Sequence, residues 1–179
     1  MLKKILIAVV VVIIVFVIIV ATRPPDFRVT RTATIPAPAP TVYALVNDLQ
    51  QWNAWSPWAK LDPAVKNTFE GPPSGVGAVF AWAGNNEVGE GRMTITESQP
   101  DELVKLNLEF IKPFASTCTT EYTFKPEGDQ THVTWSMAGK NNFMAKAVSL
   151  FMDCDKMVGG QFEEGLASMK SLVTTAAQK

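Results

Sequence analysis

Residues Ile5 to Ala21 form an unbroken apolar run of 17 side chains, nearly all Val and Ile. Coiled as a helix at about 1.5 Å per residue, such a run reaches roughly 25 Å, the short end of what crosses the hydrocarbon core of a bilayer. Lys3, Lys4 and Arg23 stand at its two edges, where long cationic side chains reach back to the head groups. A secretory signal is the competing reading, but its apolar region is usually about 7 to 15 residues and ends in a small-x-small cleavage site. The only candidate cut here follows Ala21, with bulky Ile19 where a small residue is wanted. A buried helix of the domain is a third and remote reading, since the run has no polar face at all. The expectation is therefore an uncleaved single-pass transmembrane anchor over residues 1–23, followed by one domain over residues 24–179. Positive charge alone leaves the orientation undecided, because Arg23, Arg28 and Arg31 oppose Lys3 and Lys4. Arg28 and Arg31 read as part of a folded strand, so the short head is expected inside and the domain on the extracytoplasmic side, periplasmic in a bacterium.

The remaining 150 or so residues suit one domain with one core and are too few for two. With 47% apolar and 18% charged residues, the composition excludes disordered and fibrous classes. A formal net charge of −1 with no Lys/Arg cluster excludes nucleic acid as a partner. Cys118 and Cys154 are far apart and make neither a CxxC pair nor a metal spacing, so they read as two buried structural thiols.

Pro24 and Pro25 stop the first helix, and Phe27 to Ile35 then alternates apolar and polar as a strand does. Pro40 followed by Thr41 to Val46 reads as a short helix with proline in its first turn, ended by Asn47-Asp48. From Lys66 onward the pattern turns to strands: Val76–Ala83, Glu90–Glu97, Leu103–Phe110, Cys118–Phe124 and His132–Ala138. Turn-rich breaks separate them, including Gly84-Asn85-Asn86, Pro100-Asp101 and Pro126 to Asp129, which is the pattern of an antiparallel meander. Near the end, Val158, Phe162, Leu166, Met169 and Val173 recur at helical spacing, while Glu163, Glu164, Lys170 and Lys179 fall off that stripe. Gly159, Gly160 and Gly165 each cost about 1 kcal/mol inside a helix relative to Ala, so they should mark close approach or room for something.

These elements, taken in order with their residues, resemble the START-related, polyketide-cyclase-like (SRPBCC) superfamily. The resemblance runs through Ile35 to Pro38 with Val42-Tyr43, then Trp52-Asn53-Ala54-Trp55-Ser56-Pro57-Trp58, Gly75-Val76-Gly77, Trp82, Gly91 to Ile95, Pro100 and Thr131 to Trp135. It implies an α+β helix-grip fold, in which a curved antiparallel sheet wraps a long C-terminal helix and leaves an apolar cavity between them. It further implies binding of lipids, sterols, polyketides or other hydrophobic molecules, with cyclisation or dehydration in a minority of members.

Strand alternation indicates which side chains face that cavity. The inward sets are Val104, Leu106, Leu108 and Phe110; Cys118, Thr120, Tyr122 and Phe124; Val133, Trp135 and Met137; Gly91, Met93 and Ile95; and Phe80 with Trp82. The candidate ligand-binding residues are Phe80, Trp82, Met93, Leu106, Leu108, Phe110, Thr120, Tyr122, Trp135 and Phe162. Almost no titratable group falls among them, which leaves no catalytic residue to nominate. His132 alternates with the inward set and should face solvent, while one His and two distant Cys make no metal site, and no cofactor is indicated. A lone inward Tyr122 is usually a core residue with its hydroxyl satisfied. Tyr122 and Thr120 are the best candidates for a polar contact to a ligand, followed by Glu90, Arg92 and Glu97 near strand ends, although Glu90 and Arg92 share one strand face and read first as a solvated cross-strand set. Trp52, Trp55 and Trp58 recur every three residues and read as a hydrophobic plug, or alternatively as a lid or second membrane contact. Three functions stay open: a membrane-tethered binding module for a hydrophobic small molecule or lipid, a polyketide cyclase/dehydrase-type enzyme, and a structural domain whose cavity its own side chains fill. Nothing in the sequence indicates the oligomeric state.

Overall fold

The apolar run is helix α1, Leu2–Thr22, in the structure, a computed structural model that describes residues 1–176. Lys179 and the side chain of Cys154, both assigned places in the sequence reading, lie outside what is described. Among the described helices α1 alone is long and apolar enough to cross a membrane. Only Arg23, Pro24 and Pro25 separate it from the first strand.

The order continues with β1 (Asp26–Ile35), α2 (Ala39–Asn47), α3 (Trp52–Trp55), β2 (Lys66–Glu70), β3 (Val79–Ala83), β4 (Glu90–Gln99), β5 (Leu103–Lys112), β6 (Ser116–Glu127), β7 (Gln130–Lys140), α4 (Phe143–Val148) and α5 (Cys154–Ala176). The strands make one antiparallel sheet in the order β1-β7-β6-β5-β4-β3-β2. β2 to β7 are a meander in which each strand pairs with its sequence neighbour, and β1 closes on β7. A register shift between Ile95 and Glu97 leaves Thr96 unpaired against β5, the kind of bulge that bends and twists a strand. This is the α+β helix-grip architecture: a curved sheet holding the long α5.

Helix α5 is held by its stripe, since Phe162, Leu166, Met169 and Val173 are all buried in the core. It is also clamped to β1 by charge. Arg31 Nε donates to Glu163 Oε1 at 2.7 Å, and Arg31 Nη2 donates to Asp155 Oδ2 at 3.0 Å. The bond from Arg31 holds the Asp155 carboxyl below its usual range. Gly159 makes the clamp possible, because a Cβ there would overlap the Arg31 guanidinium. Gly165 likewise marks close approach, but a Cβ on Gly160 would meet nothing within 4 Å. Gly159 and Gly165 thus mark close approach, while Gly160 is exposed with open space beside it.

Other differences have local causes. Val76 lies outside β3, exposed between Gly75 (φ 77°) and Gly77 (φ 88°), whose left-handed backbone breaks the strand. Pro126, read as a turn residue, belongs to β6. Pairing of β6 with β5 stops at Thr123, so the missing proline N–H leaves no gap on that side. Helix α2, Ala39–Asn47, has Pro40 in its first turn and ends at Asn47, as expected. Helix α4, capped by Asn142 Oδ1 accepting from the Ala145 amide at 2.9 Å, was not legible in the sequence.

Candidate functional site

A cavity of about 310 Å³ lies between the inner face of the sheet, the segment from Trp52 to Ala59 and the N-terminal part of α5. Strand alternation builds most of its wall, because every second residue of a strand faces the same way. β3 supplies Phe80 and Trp82, β4 Met93, β5 Leu108 and Phe110, β6 Thr120, β7 Trp135 and Met137, and α5 Val158 and Phe162. Of the candidate ligand-binding residues, these eight stand together: Phe80, Trp82, Met93, Leu108, Phe110, Thr120, Trp135 and Phe162.

Leu106 and Tyr122 do not join them. Both face inward and are fully buried, but they sit further along β5 and β6, at the end covered by α2, and not in the wall. Alternation fixes a face; it does not fix how far along the strand the cavity extends. The Tyr122 hydroxyl also has no hydrogen-bond partner, contrary to the expected satisfied core tyrosine. Burial pushes its phenol well above the ordinary range, so it neither ionises nor reaches the cavity.

Trp135 is the centre of the wall. Its ring stacks on Phe162 with centroids 3.9 Å apart and planes 9° from parallel. Trp52, Trp55 and Trp58 approach it edge-on at 6.2, 5.7 and 6.0 Å. Its Nε1 donates to Thr120 Oγ1 at 3.1 Å, and Thr120 donates in turn to the Ser136 carbonyl at 3.0 Å. A buried indole N–H usually finds such a partner. The Trp-rich segment divides its work: Trp55 is a buried plug donating to the Leu45 carbonyl at 2.9 Å, while Trp52 and Trp58 line the cavity.

Two polar atoms in the wall have no partner, Ser56 Oγ and Asn67 Oδ1. Ser56 is 2% exposed. Unpaired buried polar atoms are uncommon, and each one calls for an explanation. Sequence reasoning missed both. Ser56 lay inside a motif read for its tryptophans, and Asn67 lies on β2, an edge strand of mostly polar, exposed residues with little alternation to find. Charged groups stay at the rim: Glu87 is exposed, and Lys112 Nζ is held by Glu90 at 2.7 Å. The remaining candidate carboxylate, Glu97, is engaged elsewhere on the sheet, by Lys105 at 3.0 Å. Arg92 Nε lies 3.5 Å from Glu109 without forming a hydrogen bond. His132 is off the cavity, its Nδ1 3.5 Å from Thr34 Oγ1. Among the described residues no group of three His, Cys, Asp or Glu could hold a metal ion.

Cys118 is buried beside this site, and desolvation pushes its thiol up to about 11. At pH 8 only about one such thiol in a thousand is ionised, and the thiolate is the reactive form. Iodoacetamide at pH 8 should therefore leave Cys118 unmodified in the folded protein and modify it after unfolding in urea, as read by peptide mass spectrometry. Rapid modification of the native protein would show that β6 is open to solvent at this position.

A profile of the family described as polyketide cyclase / dehydrase and lipid transport matches residues 26–174. A search of curated proteins finds no match. Among solved structures, protein MLL2253 from Mesorhizobium loti superposes with a TM-score of 0.62 at 13% identity, covering 83% of this chain and 98% of that one. Protein CV1439 from Chromobacterium violaceum gives 0.58 at 15%, covering 84% and 98%. CalU16 from Micromonospora echinospora gives 0.54 at 16%, covering 83% and 82%. At these identities the likeness is one of fold.

Proposed function

This chain belongs to the polyketide cyclase / dehydrase and lipid transport family, and on that premise we propose that its domain, residues 24–179, binds a hydrophobic small molecule or lipid in the cavity around Trp135 while α1 tethers it to a membrane. One observation carries the reading: a cavity of about 310 Å³ walled by aromatic and aliphatic side chains, with isolated polar atoms at Ser56 and Asn67. Ligand sites typically run from about 300 to 1,000 Å³ and combine an apolar wall with a few placed polar groups. Ser56 Oγ can donate or accept, and Asn67 Oδ1 can only accept. A neutral ligand bearing a hydroxyl matches both, whereas a carboxylate would find no unpaired cation inside. On this reading the eight candidate residues that line the cavity would touch the ligand, and Leu106 and Tyr122, further along β5 and β6, would not.

A cyclase or dehydrase would need a group able to move a proton in the cavity. Glu87 and Lys112 stand at the rim, and the one nearby phenol, Tyr122, faces none of the space, so binding is the reading favoured over chemistry. A purely structural role is disfavoured by the size of the unfilled volume.

The test is a titration of the chain from Asp26 onward, first checked for folding by circular dichroism, with long-chain alcohols, matched alkanes and fatty acids. Trp52, Trp58, Trp82 and Trp135 line the cavity, so tryptophan emission should change saturably, at lower concentration for the alcohols than for alkanes or acids of equal length. Unchanged emission across the panel would sink the binding reading, and recovery of chemically altered ligand would favour the enzyme.

A further inference from the structure

Between residues 143 and 157 the domain leaves a group of large apolar side chains uncovered. Phe143 is 46% exposed, Met144 62%, Phe151 80%, Met152 46% and Met157 55%. Single exposed apolar residues are ordinary on a protein surface. These, however, are crowded into α4, the link after it and the first turn of α5. They also adjoin α1. Helix α4 packs on α1, Val20 is the one α1 residue that is buried, and the Phe16 ring stacks on Phe151 with centroids 6.5 Å apart and planes at 26°.

Phe16 lies six residues before Thr22, about 9 Å down the helix axis at 1.5 Å per residue. Whatever surrounds that turn of α1 also surrounds Phe151. Of the two carboxylates of the segment, Asp155 is paired with Arg31 and Asp153 accepts from the Lys156 amide at 3.0 Å, while among the described residues Lys146 and Lys156 are in no salt bridge and so are available to lipid phosphates. Exposed large apolar side chains interspersed with lysines is the composition of a segment that lies in a membrane interface.

We infer that residues 143–157 are a second membrane contact, immersed in the outer part of the leaflet from which the C-terminal end of α1 emerges. The domain then rests on the bilayer instead of standing clear of it. The inference depends on α1 crossing the membrane, as in the reading above. It adds a consequence for the site, because Val158, the next residue, and Phe162, one turn on, are cavity wall. The immersed edge and the cavity are contiguous, so a lipid or sterol dissolved in that leaflet has a short route inward.

The experiment uses the full chain in phosphatidylcholine vesicles doped with diazirine-bearing phosphatidylcholine, irradiated, digested and mapped by mass spectrometry. Lipid adducts are expected on two segments, 5–21 and 143–157. In the variant Met144→Asp with Phe151→Asp, both positions being exposed, adducts on 143–157 should fall several-fold while those on 5–21 stay level. Adducts on 5–21 alone would overturn the second contact and leave the tether standing, and cross-links between Lys146 or Lys156 of two copies, formed by a bifunctional amine reagent in a parallel sample, would assign the patch to a second copy instead. Adducts on neither segment would remove α1 from the bilayer, and the inference would fall with its premise.

Discussion

Gly165→Trp should lower the melting temperature by about 10 °C, whereas Glu164→Trp, one residue earlier, should leave it within a degree or two. A single Cβ at Gly165 would already stand 2.8 Å from Trp135 Cζ3 and 3.3 Å from Pro57 Cδ, and an indole has nowhere to turn between them. Forcing bulk into a filled core costs about 1–3 kcal/mol, occasionally more. For a domain of this size each kcal/mol moves the midpoint by roughly 2–4 °C. Glu164 faces water and gives up only a 3.5 Å pair with Lys60, half-exposed on both sides. Such a pair contributes about 0–1 kcal/mol. Equal melting temperatures for the two variants, measured by circular dichroism, would mean that α5 is not seated on Trp135.

Leu108→Trp should have the opposite signature, with binding of a long-chain alcohol weakened at least about tenfold and the melting temperature unchanged or slightly raised. Leu108 lies on β5 opposite Met93 and Cys118 and points into open volume. Added rings there displace ligand, not protein. Filling an empty cavity commonly stabilises. The two tryptophan substitutions are thus a paired test of where the interior is full and where it is empty. If Leu108→Trp destabilised the fold as Gly165→Trp does, the cavity would have to be closed in solution, and the structural role would displace the binding one.

What could be read from the sequence followed from periodicity. The inward sets of β4 to β7 and the stripe of α5 were legible because one face of each is buried, and burial of one face forces alternation or a helical repeat. Strand ends were read short at Gln99, Lys112, Glu127 and Lys140, because their backbones pair while their polar side chains carry no hydrophobic signal. β2 was left without bounds for the same reason, and α4 because a six-residue helix offers too few turns for a stripe. In the cavity, the residues carried by alternating strands could be named in advance. Leu106 and Tyr122 could not be told apart from them, since distance along a strand depends on where α2 comes to lie. Ser56 and Asn67 reach the wall from a turn and an edge strand brought together only by the fold.

The three residues between α1 and β1 span at most about 10 Å even when fully extended, and two of them are prolines, which stiffen the chain further. With α1 in a bilayer, a leash that short rules out ferrying: the domain cannot carry cargo across an aqueous gap to a facing membrane. It would act as a fixed port, meeting its ligands as they diffuse laterally and passing them only to partners that come to the same patch of surface.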